Sequence, residues 1–306
     1  MTRDTALRTG VPPVAEQRLP TPAEPGLLLP WLVLALKPMS RTKVKEWLAD
    51  GRVHVNGKSV TRHDHALTPG DRVAVAAASP KPKPPTMLER AGIAVAYVDA
   101  AVTVLDKPAG LLSVATEAEK LDTAYSWLSA DRESRRLSPP VVVHRLDRDT
   151  SGLLMFAHSL ELRETLQADW DQLTKKYLAV VERTPRESEG LVEDYLHEGR
   201  DLKMRRCVAT EPGAKLARTK YKVLKSVNGV SLVEVELLTG RKHQIRVHFA
   251  ALGHPVVGDS IYGTGFDPAG RLALHACELH FPHPVTDARI SLRSPLPAAL
   301  KRLTAG

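Results

Sequence analysis

The chain contains 306 residues, which exceeds the usual length of one domain, so two domains are the first expectation. Its 43 lysines and arginines outnumber the 35 aspartates and glutamates and give a net charge of +8, which suits an anionic partner such as nucleic acid. The two cysteines, Cys207 and Cys277, lie far apart without a CxxC spacing, which argues against both a disulfide framework and a cysteine-rich zinc site. We expect both cysteines to be buried, reduced and structural.

The N-terminal region is predicted to contain neither a membrane span nor a secretion signal. Its longest apolar run, residues 26–36, is interrupted by Pro30 and is too short to cross a bilayer. No basic segment with a cleavage site precedes that run, so the sequence predicts a cytoplasmic protein without membrane association. Residues 1–25 hold five prolines without apolar periodicity and are predicted to form a flexible N-terminal tail.

Residues 26–78 are predicted to form a small α/β unit. A helix should begin after Ser40, a suitable N-cap, and end at Gly51, with apolar residues on one face in between. Residues 53–60 are typical of two strands joined by an Asn-Gly turn, and residues 70–75 of a further strand.

This small unit is basic: residues 31–77 include eight lysines or arginines and four aspartates or glutamates. One interpretation is an ordinary solvated charged face. The basic helix ending in glycine, followed by Val-His-Val-Asn-Gly-Lys and Gly-Asp-Arg-Val, resembles the RNA-binding domain named after ribosomal protein S4. Leu-Pro-Trp-Leu at residues 29–32 replaces the Arg-Leu-Asp that usually opens that motif. The resemblance implies that RNA is contacted by Arg41, Lys43, Lys45 and Lys58.

A proline-rich segment, residues 79–86, is predicted to be an extended linker and marks the domain boundary. Beyond it, residues 87–306 alternate between strand-like and helical patterns, which predicts a mixed α+β domain. Strands are expected over residues 93–98, 102–105 and 230–238, and helices around residues 124–128 and 159–173.

An acidic residue, Asp147, follows three β-branched residues at positions 141–143 that predict a buried strand. Residues 149–152 supply turn chemistry immediately after the acid, so Asp147 is expected on a loop held by the core. One interpretation is a structural carboxylate paired with Arg145 or Arg148.

A second polar segment begins at Thr239-Gly240, a predicted turn after a half-exposed strand, and continues as a helix that ends at Gly253. Basic residues cluster in the first turns of this helix, where the positive end of the dipole disfavours cations, so their presence suggests an anionic partner. His243 and His248 are five residues apart, a spacing that does not align them as a metal-binding pair, and no metal site is predicted.

Six segments together resemble the RluA-type pseudouridine synthases, a family marked by the motif His-Arg-Leu-Asp-x-x-Thr-Ser-Gly. That motif stands at residues 144–152, and the similarity extends over residues 90–295. The other matching segments are residues 106–110, 176–177, 239–248, 253–255 and 274–276. The resemblance implies a mixed, largely antiparallel central sheet flanked by helices.

The resemblance also implies the activity, which is isomerisation of specific uridines to pseudouridine in structured RNA. Nothing is oxidised or hydrolysed overall, so no cofactor is expected, and the sequence contains neither a dinucleotide fingerprint nor a P-loop. RNA is the expected partner. The additional RNA-binding unit favours ribosomal RNA over transfer RNA, and no obligatory protein partner is inferred.

Three residues receive catalytic roles from the resemblance. Asp147 is expected to be the nucleophile, and both attack on the base ring and attack on the sugar carbon stay open. Arg246 is expected to form an ion pair that keeps Asp147 charged. Tyr177 is expected to stack on the uracil and to offer its hydroxyl for proton transfer, although it also fits a plain buried strand tyrosine.

Other site residues are expected to bind RNA or to position loops. Arg145 and Arg241 suit phosphate contacts, and Arg148 is the nearest candidate to fill the gap left by a base that leaves its stack. His144 is expected to fix the loop rather than to titrate.

Two other functions compete with this interpretation. A non-catalytic RNA-binding or ribosome-assembly factor would also suit the basic first unit, but the presence of both Asp147 and Tyr177 favours the enzyme. A base deaminase requires His-x-Glu with Pro-Cys-x-x-Cys for zinc, and neither pattern is present.

Overall fold

The computed structural model describes residues 16–76, 86–117 and 119–305. The chain divides into two compact units, Met1–Pro84 and Pro85–Gly306. Residues 79–85 of the predicted linker and residues 1–15 of the predicted tail lie outside the described residues. Within the described ranges, no helix combines the length and the apolar character that crossing a bilayer requires.

The first unit is a small sheet with two helices. Its elements are β1 (Glu16–Arg18), β2 (Gly26–Leu27), α1 (Leu28–Ala35), α2 (Arg41–Ala49), β3 (Val53–Val55), β4 (Lys58–Ser59), β5 (Ala66–Leu67) and β6 (Val73–Ala76). The sheet order is β1-β6-β3-β4, and β2 pairs separately with β5. All these pairings are antiparallel.

The first strand corrects the prediction of a flexible tail over residues 1–25. Residues 16–18 pair with β6, and Gln17 lies opposite Val75. Without β1, the outer edge of β6 would leave its backbone N–H and C=O groups unpaired, so the pairing satisfies them. The proline-rich composition of residues 1–25 indicated a tail and gave no sign of this strand, because the pairing with β6 is a tertiary contact.

The predicted helix and hairpin of this unit are confirmed. The Ser40 hydroxyl accepts a hydrogen bond from the backbone N–H of Lys43 and caps α2, which buries Val44 and Leu48. Asn56 and Gly57 have φ values of 53° and 79°, which fit the tight turn between β3 and β4. The four basic residues expected to contact RNA are exposed on this unit, and they are Arg41, Lys43, Lys45 and Lys58.

The second unit contains one large sheet. Its elements are α3 (Met87–Arg90), β7 (Ala94–Val98), β8 (Val102–Lys107), α4 (Ala124–Ser134), β9 (Val141–Val142), β10 (Ser151–Ala157), α5 (Leu160–Ala168), a 3₁₀ turn (Trp170–Gln172), β11 (Thr174–Glu182), β12 (Glu189–Glu198), β13 (Met204–Cys207), β14 (Lys215–Val227), β15 (Val230–Leu237), α6 (Gln244–Ala251), β16 (Leu274–Pro282), β17 (Arg289–Arg293) and α7 (Ala298–Leu303). The order is β13-β12-β14-β15-β11-β16-β10-β8-β7, with β17 on β16 and β9 on β10.

This sheet is largely antiparallel, which confirms the predicted α+β class. The pair β10–β16 is parallel, and the other pairs along the order are antiparallel. Helix α5 begins after Ser159, whose hydroxyl accepts from the Leu162 N–H at 3.2 Å, and it ends sooner than the predicted residue 173. Cys277 is buried, whereas Cys207 is only half-buried, so the expectation of two buried cysteines holds for one of them.

The buried strand near Asp147 follows this residue in the chain, whereas the sequence predicted a buried strand before it. Strand β9 has two residues and both are half-buried, whereas every residue of β10 is buried. The difference has a topological cause, because β10 lies between β8 and β16 inside the sheet and β9 pairs only with the end of β10. The loop that carries Asp147 therefore leads into the core.

Gly152 explains how β10 approaches β16 so closely. Its φ is 113°, and a Cβ atom added there would lie 2.2 Å from the carbonyl oxygen of Ala276. Only glycine tolerates both the backbone conformation and the contact. This close contact between the two paired strands fixes the end of the loop that contains Asp147.

Candidate active site

A cleft of about 710 Å³ opens in the second unit beside the loop between β9 and β10. All seven predicted site residues of this unit line it, and they are His144, Arg145, Asp147, Arg148, Tyr177, Arg241 and Arg246. They come from the loop before β10, from β11, and from the start of α6 with the turn before it. The fold thus brings together three segments that are distant in sequence.

Two buried side chains hold the loop of Asp147 in place. The Ser113 hydroxyl accepts from the Leu146 N–H at 2.9 Å and donates to the Leu146 carbonyl at 2.7 Å. The Lys107 ammonium donates to the carbonyl oxygens of Pro108, Leu111 and Arg148 at 2.9, 2.7 and 3.0 Å. Burial lowers the pKa of Lys107 to about 7, while three acceptors satisfy the protonated form.

His144 attaches the start of the same loop to the core strand. Its Nε2 accepts from the backbone N–H of Met155 at 3.2 Å. Burial, reinforced by the nearby charge of Lys175, lowers the pKa of His144 to about 3. The imidazole is therefore neutral at physiological pH and acts as a hydrogen-bond acceptor.

Asp147 is half-buried in the cleft, while Arg145 and Arg148 are exposed. Its backbone carbonyl accepts from the Thr150 N–H at 3.2 Å, which closes the turn. Within the described residues, no ion pair joins the Asp147 carboxylate to either arginine. The arrangement therefore does not match a purely structural carboxylate paired with a sequence neighbour.

The ion pair of Arg246 corrects the expected pairing. Its guanidinium donates from Nε and Nη2 to the two carboxylate oxygens of Asp259, at 2.8 and 2.6 Å, and both side chains are buried. The Asp259 carboxylate also accepts from the N–H groups of Ile261 and Tyr262 at 2.9 and 3.0 Å. Arg246 lines the cleft, but its direct partner is Asp259 rather than Asp147.

The opposite charges of Arg246 and Asp259 offset the desolvation cost that burial imposes on each of them. Burial alone would raise the pKa of Asp259, but the hydrogen bonds from Arg246 and from the backbone outweigh it and hold that pKa below its ordinary value. Burial likewise opposes the charge of Arg246, and Asp259 and the negative charge of Asp147 together keep its pKa raised. Arg246 therefore interacts with Asp147 through space, as a positive charge held at a fixed position.

Tyr177 lies on β11 and is buried at the wall of the cleft. Burial, and secondarily the charge of Asp147, raise the pKa of its hydroxyl above the ordinary value. The hydroxyl therefore stays protonated, and the ring presents an aromatic surface next to the acid. This position supports stacking against a base.

The start of α6 is organised by side chains instead of by a conventional N-cap. The Gln244 Oε1 accepts from the Thr239 hydroxyl at 2.8 Å and from the Arg241 N–H at 3.0 Å. His243 adopts a left-handed conformation with φ of 53°, and its Nδ1 lies 2.9 Å from the Tyr262 hydroxyl. These contacts place the basic residues of the turn along the rim of the cleft.

Several residues around the cleft were not predicted. Asp259 and Tyr262 support Arg246 from a turn between Gly258 and Gly263, and polar residues between glycines were the only signal for them. Lys175 lies two residues before Tyr177, and the alternation of a strand places both on one face, so this lysine could have been found.

Comparisons with known proteins identify the family to which a chain with this cleft belongs. Residues 101–251 match the family model described as RNA pseudouridylate synthase, and residues 31–73 match the S4 domain. The chain is 35% identical over 272 residues to the uncharacterized RNA pseudouridine synthase YlyB of Bacillus subtilis, and the alignment covers 86% of this chain and 88% of that relative. The chain belongs to the RNA pseudouridine synthase family.

Two further similarities concern a named relative and a solved structure. The synthase is 32% identical over 285 residues to ribosomal large subunit pseudouridine synthase D of Nitrosomonas europaea, covering 89% of this chain and 82% of that one. The solved structure of human RNA pseudouridylate synthase domain containing 4 superposes with a TM-score of 0.58 at 26% identity and covers 70% of this chain and 91% of its own.

Family membership establishes the broad function. The protein is an RNA pseudouridine synthase with an S4 domain at its N-terminal side, and RNA is its substrate class. The resemblance stated from the sequence is thereby confirmed, and the catalytic interpretation is favoured over the non-catalytic alternative.

Proposed function

We propose that this synthase isomerises specific uridines in structured RNA, with ribosomal RNA favoured over transfer RNA, and that Asp147 is the nucleophile. The observation that carries the proposal is the cleft in which Asp147, Tyr177 and Arg246 meet from three separate segments. The name of the Nitrosomonas relative and the S4 domain both favour a ribosomal target.

The reaction needs one covalent catalyst and two proton transfers. The bond from the ribose C1′ to N1 of uracil breaks, the ring turns, and a bond from C1′ to C5 forms. C5 loses a proton and N1 gains one, so no net proton or electron is consumed. A carboxylate can carry the detached fragment as a covalent intermediate, by attack either on the base ring or on C1′.

Tyr177 and Arg246 prepare the site around that carboxylate. The ring of Tyr177 forms a buried aromatic wall on which uracil can stack, and its protonated hydroxyl is available for proton transfer. Arg246, held by Asp259, contributes a positive charge that favours the ionised form of Asp147 when RNA excludes water.

The exposed basic residues are assigned to the RNA backbone. Arg145 and Arg241 lie on the cleft rim, where they suit phosphate contacts, and Arg148 can occupy the space of the flipped base. Arg41, Lys43, Lys45 and Lys58 of the first unit are assigned to non-specific RNA attraction.

The test uses RNA labelled with tritium at uracil C5, prepared from a strain that lacks this gene. Since C5 loses its hydrogen, each isomerisation releases one tritium to water. The purified protein should release tritium, Asp147→Asn should release none, and the exposed control Glu164→Gln should match the wild type. Persistent release by the Asp147 variant would remove the nucleophile assignment, and pseudouridine mapped only in transfer RNA would remove the ribosomal target.

A further inference from the structure

Lys175 is a buried cation in the wall of the cleft that the proposed mechanism does not use. Its side chain lies on β11, is 7% exposed and lines the cleft. The Nζ atom lies 3.8 Å from the centroid of the Trp170 ring, which also lines the cleft. The indole face therefore fixes the position of the ammonium by a cation–π contact.

Among the side chains that the structure describes, which do not include that of Asp171, this ammonium has no acidic partner. No carboxylate of that set lies within 4.0 Å of the Lys175 Nζ, and no hydrogen bond satisfies it. The adjacent Lys176, by contrast, pairs with Glu234 at 3.1 Å. Burial lowers the pKa of Lys175 to about 8, as expected for an ammonium removed from water without a counter-charge.

Its surroundings identify where a ligand would lie. Lys175 and Tyr177 are two residues apart on one strand, so their side chains project from the same face about 7 Å apart. His144 approaches from the preceding loop and is neutral, and the Tyr177 hydroxyl is protonated. Neither group supplies negative charge, and Asp147 is not among the groups that perturb Lys175.

The substrate itself can supply the missing charge. In RNA, the phosphodiester is the ionised group of each nucleotide at neutral pH, whereas uracil is neutral. We propose that Lys175 binds a backbone phosphate next to the target uridine, so that it positions the nucleotide whose base stacks on Tyr177. This inference rests on the proposed function and adds a positioning residue to it.

The placement gives this contact a selective effect. A phosphate reaches a buried ammonium only after the strand has entered the cleft, unlike the exposed arginines on the rim. Lys175 therefore stabilises only a nucleotide that has already been displaced from its helix. The binding free energy of this phosphate contact helps to offset the cost of unstacking the base.

The test compares kcat/KM for tritium release at pH 7 and several salt concentrations. The proteins are the wild type, Lys175→Met, Lys175→Arg and the control Lys301→Met, which removes an exposed lysine on α7 outside the cleft. Lys175→Met should lower kcat/KM by about ten-fold to a hundred-fold, the loss of a hydrogen bond to a charged group. The slope of log kcat/KM against log salt should also become shallower by about 0.7 to 0.9, and Lys175→Arg should retain it.

Two inhibitors identify the group that is bound. Uridine 3′,5′-bisphosphate should inhibit the wild type more strongly than uridine, and this preference should shrink at least five-fold in Lys175→Met. An unchanged preference together with an unchanged salt slope would overturn the phosphate contact. Absence of tritium release by the wild type would instead overturn the proposed function.

A pH profile keeps the inference testable if Lys175→Met does not fold. The wild-type kcat/KM should fall as the pH rises above about 8, because the ammonium loses its proton. Lys107 also titrates near this range, with a pKa of about 7, but it is the same in both proteins, so the difference between the two profiles isolates Lys175. Lys175→Arg keeps its charge and should lose the part of the alkaline fall that Lys175 causes, whereas His144 and Tyr177 titrate well outside this range. Superimposable pH profiles of the two proteins would contradict the assignment.

Discussion

Replacement of Asp259 by alanine should be strongly destabilising, because it leaves the Arg246 guanidinium buried without its counter-charge. The pair is bidentate at 2.8 and 2.6 Å, with both side chains almost fully inaccessible. Removal of one partner from such a pair costs about 3–5 kcal/mol. The substitution also removes the acceptor of the Ile261 and Tyr262 N–H groups, so the upper part of that range is expected.

Thermal and denaturant unfolding of the full chain measure this effect. For a unit of this size, 1 kcal/mol corresponds to about 2–4 °C in Tm, so the second unit should melt about 6–20 °C lower. The matched control is Glu193→Ala, which removes a 2.6 Å pair with Arg218 in which both side chains are nearly half exposed. That control should cost less than about 1 kcal/mol. Equal losses in the two variants would refute the importance of burial.

The same pair predicts a pH dependence of stability. The folded pKa of Asp259 lies below its unfolded value of 3.8, so its contribution is fully present above pH 3.8. As the pH falls below 3.8 and through the folded pKa, the contribution is lost. The free energy of unfolding of the wild type should therefore fall more steeply over this acid range than that of Asp259→Ala, and parallel curves would contradict the pKa direction.

Three other outcomes are expected. Asp147→Asn should abolish turnover while RNA affinity measured by filter binding changes by only a few fold, and a large affinity loss would indicate a binding role instead. Deletion of residues 1–84 should weaken RNA binding and flatten its salt dependence, because residues 31–77 carry four excess positive charges. An unchanged slope of log affinity against log salt would exclude RNA contact by this unit. Gly152→Ala should lower the free energy of unfolding, measured with denaturant, by about 3 kcal/mol or more. The control Gly213→Ala should cost far less, because its added Cβ meets nothing within 4 Å. Similar costs in the two variants would refute the importance of the close contact between β10 and β16.

Local patterns predicted the short elements of the fold well, because local chemistry determines them. The N-cap at Ser40, the Asn56-Gly57 turn and helix α6 each depend on residues within a few positions. The strands β1 and β10 were harder, since pairing with distant strands decides where they lie and how deeply they are buried. Strand β9 shows the opposite case, a β-branched run that remains short because only the end of β10 is available to it.

The site was predicted where motifs carry it and missed where tertiary contacts complete it. His144 and Tyr177 lie in the cleft as the family motifs implied. The partner of Arg246 was assigned incorrectly because Asp259 lies thirteen residues further on, in a turn whose position only the fold determines. Strand alternation places Lys175 on the same face as Tyr177, but its burial against Trp170 without an acidic partner among the described side chains is a property of the packed structure.

The pairing of β10 with β16 has a consequence for when the enzyme becomes active during folding. Ser151 on one strand contacts His275 on the other across 124 residues of chain, so this pairing closes a very long loop. Hairpins such as β14–β15 close short loops and should form earlier in refolding. Catalytic competence should therefore return after most strand signal has recovered, and a nascent chain should stay inactive until β16 has left the ribosome.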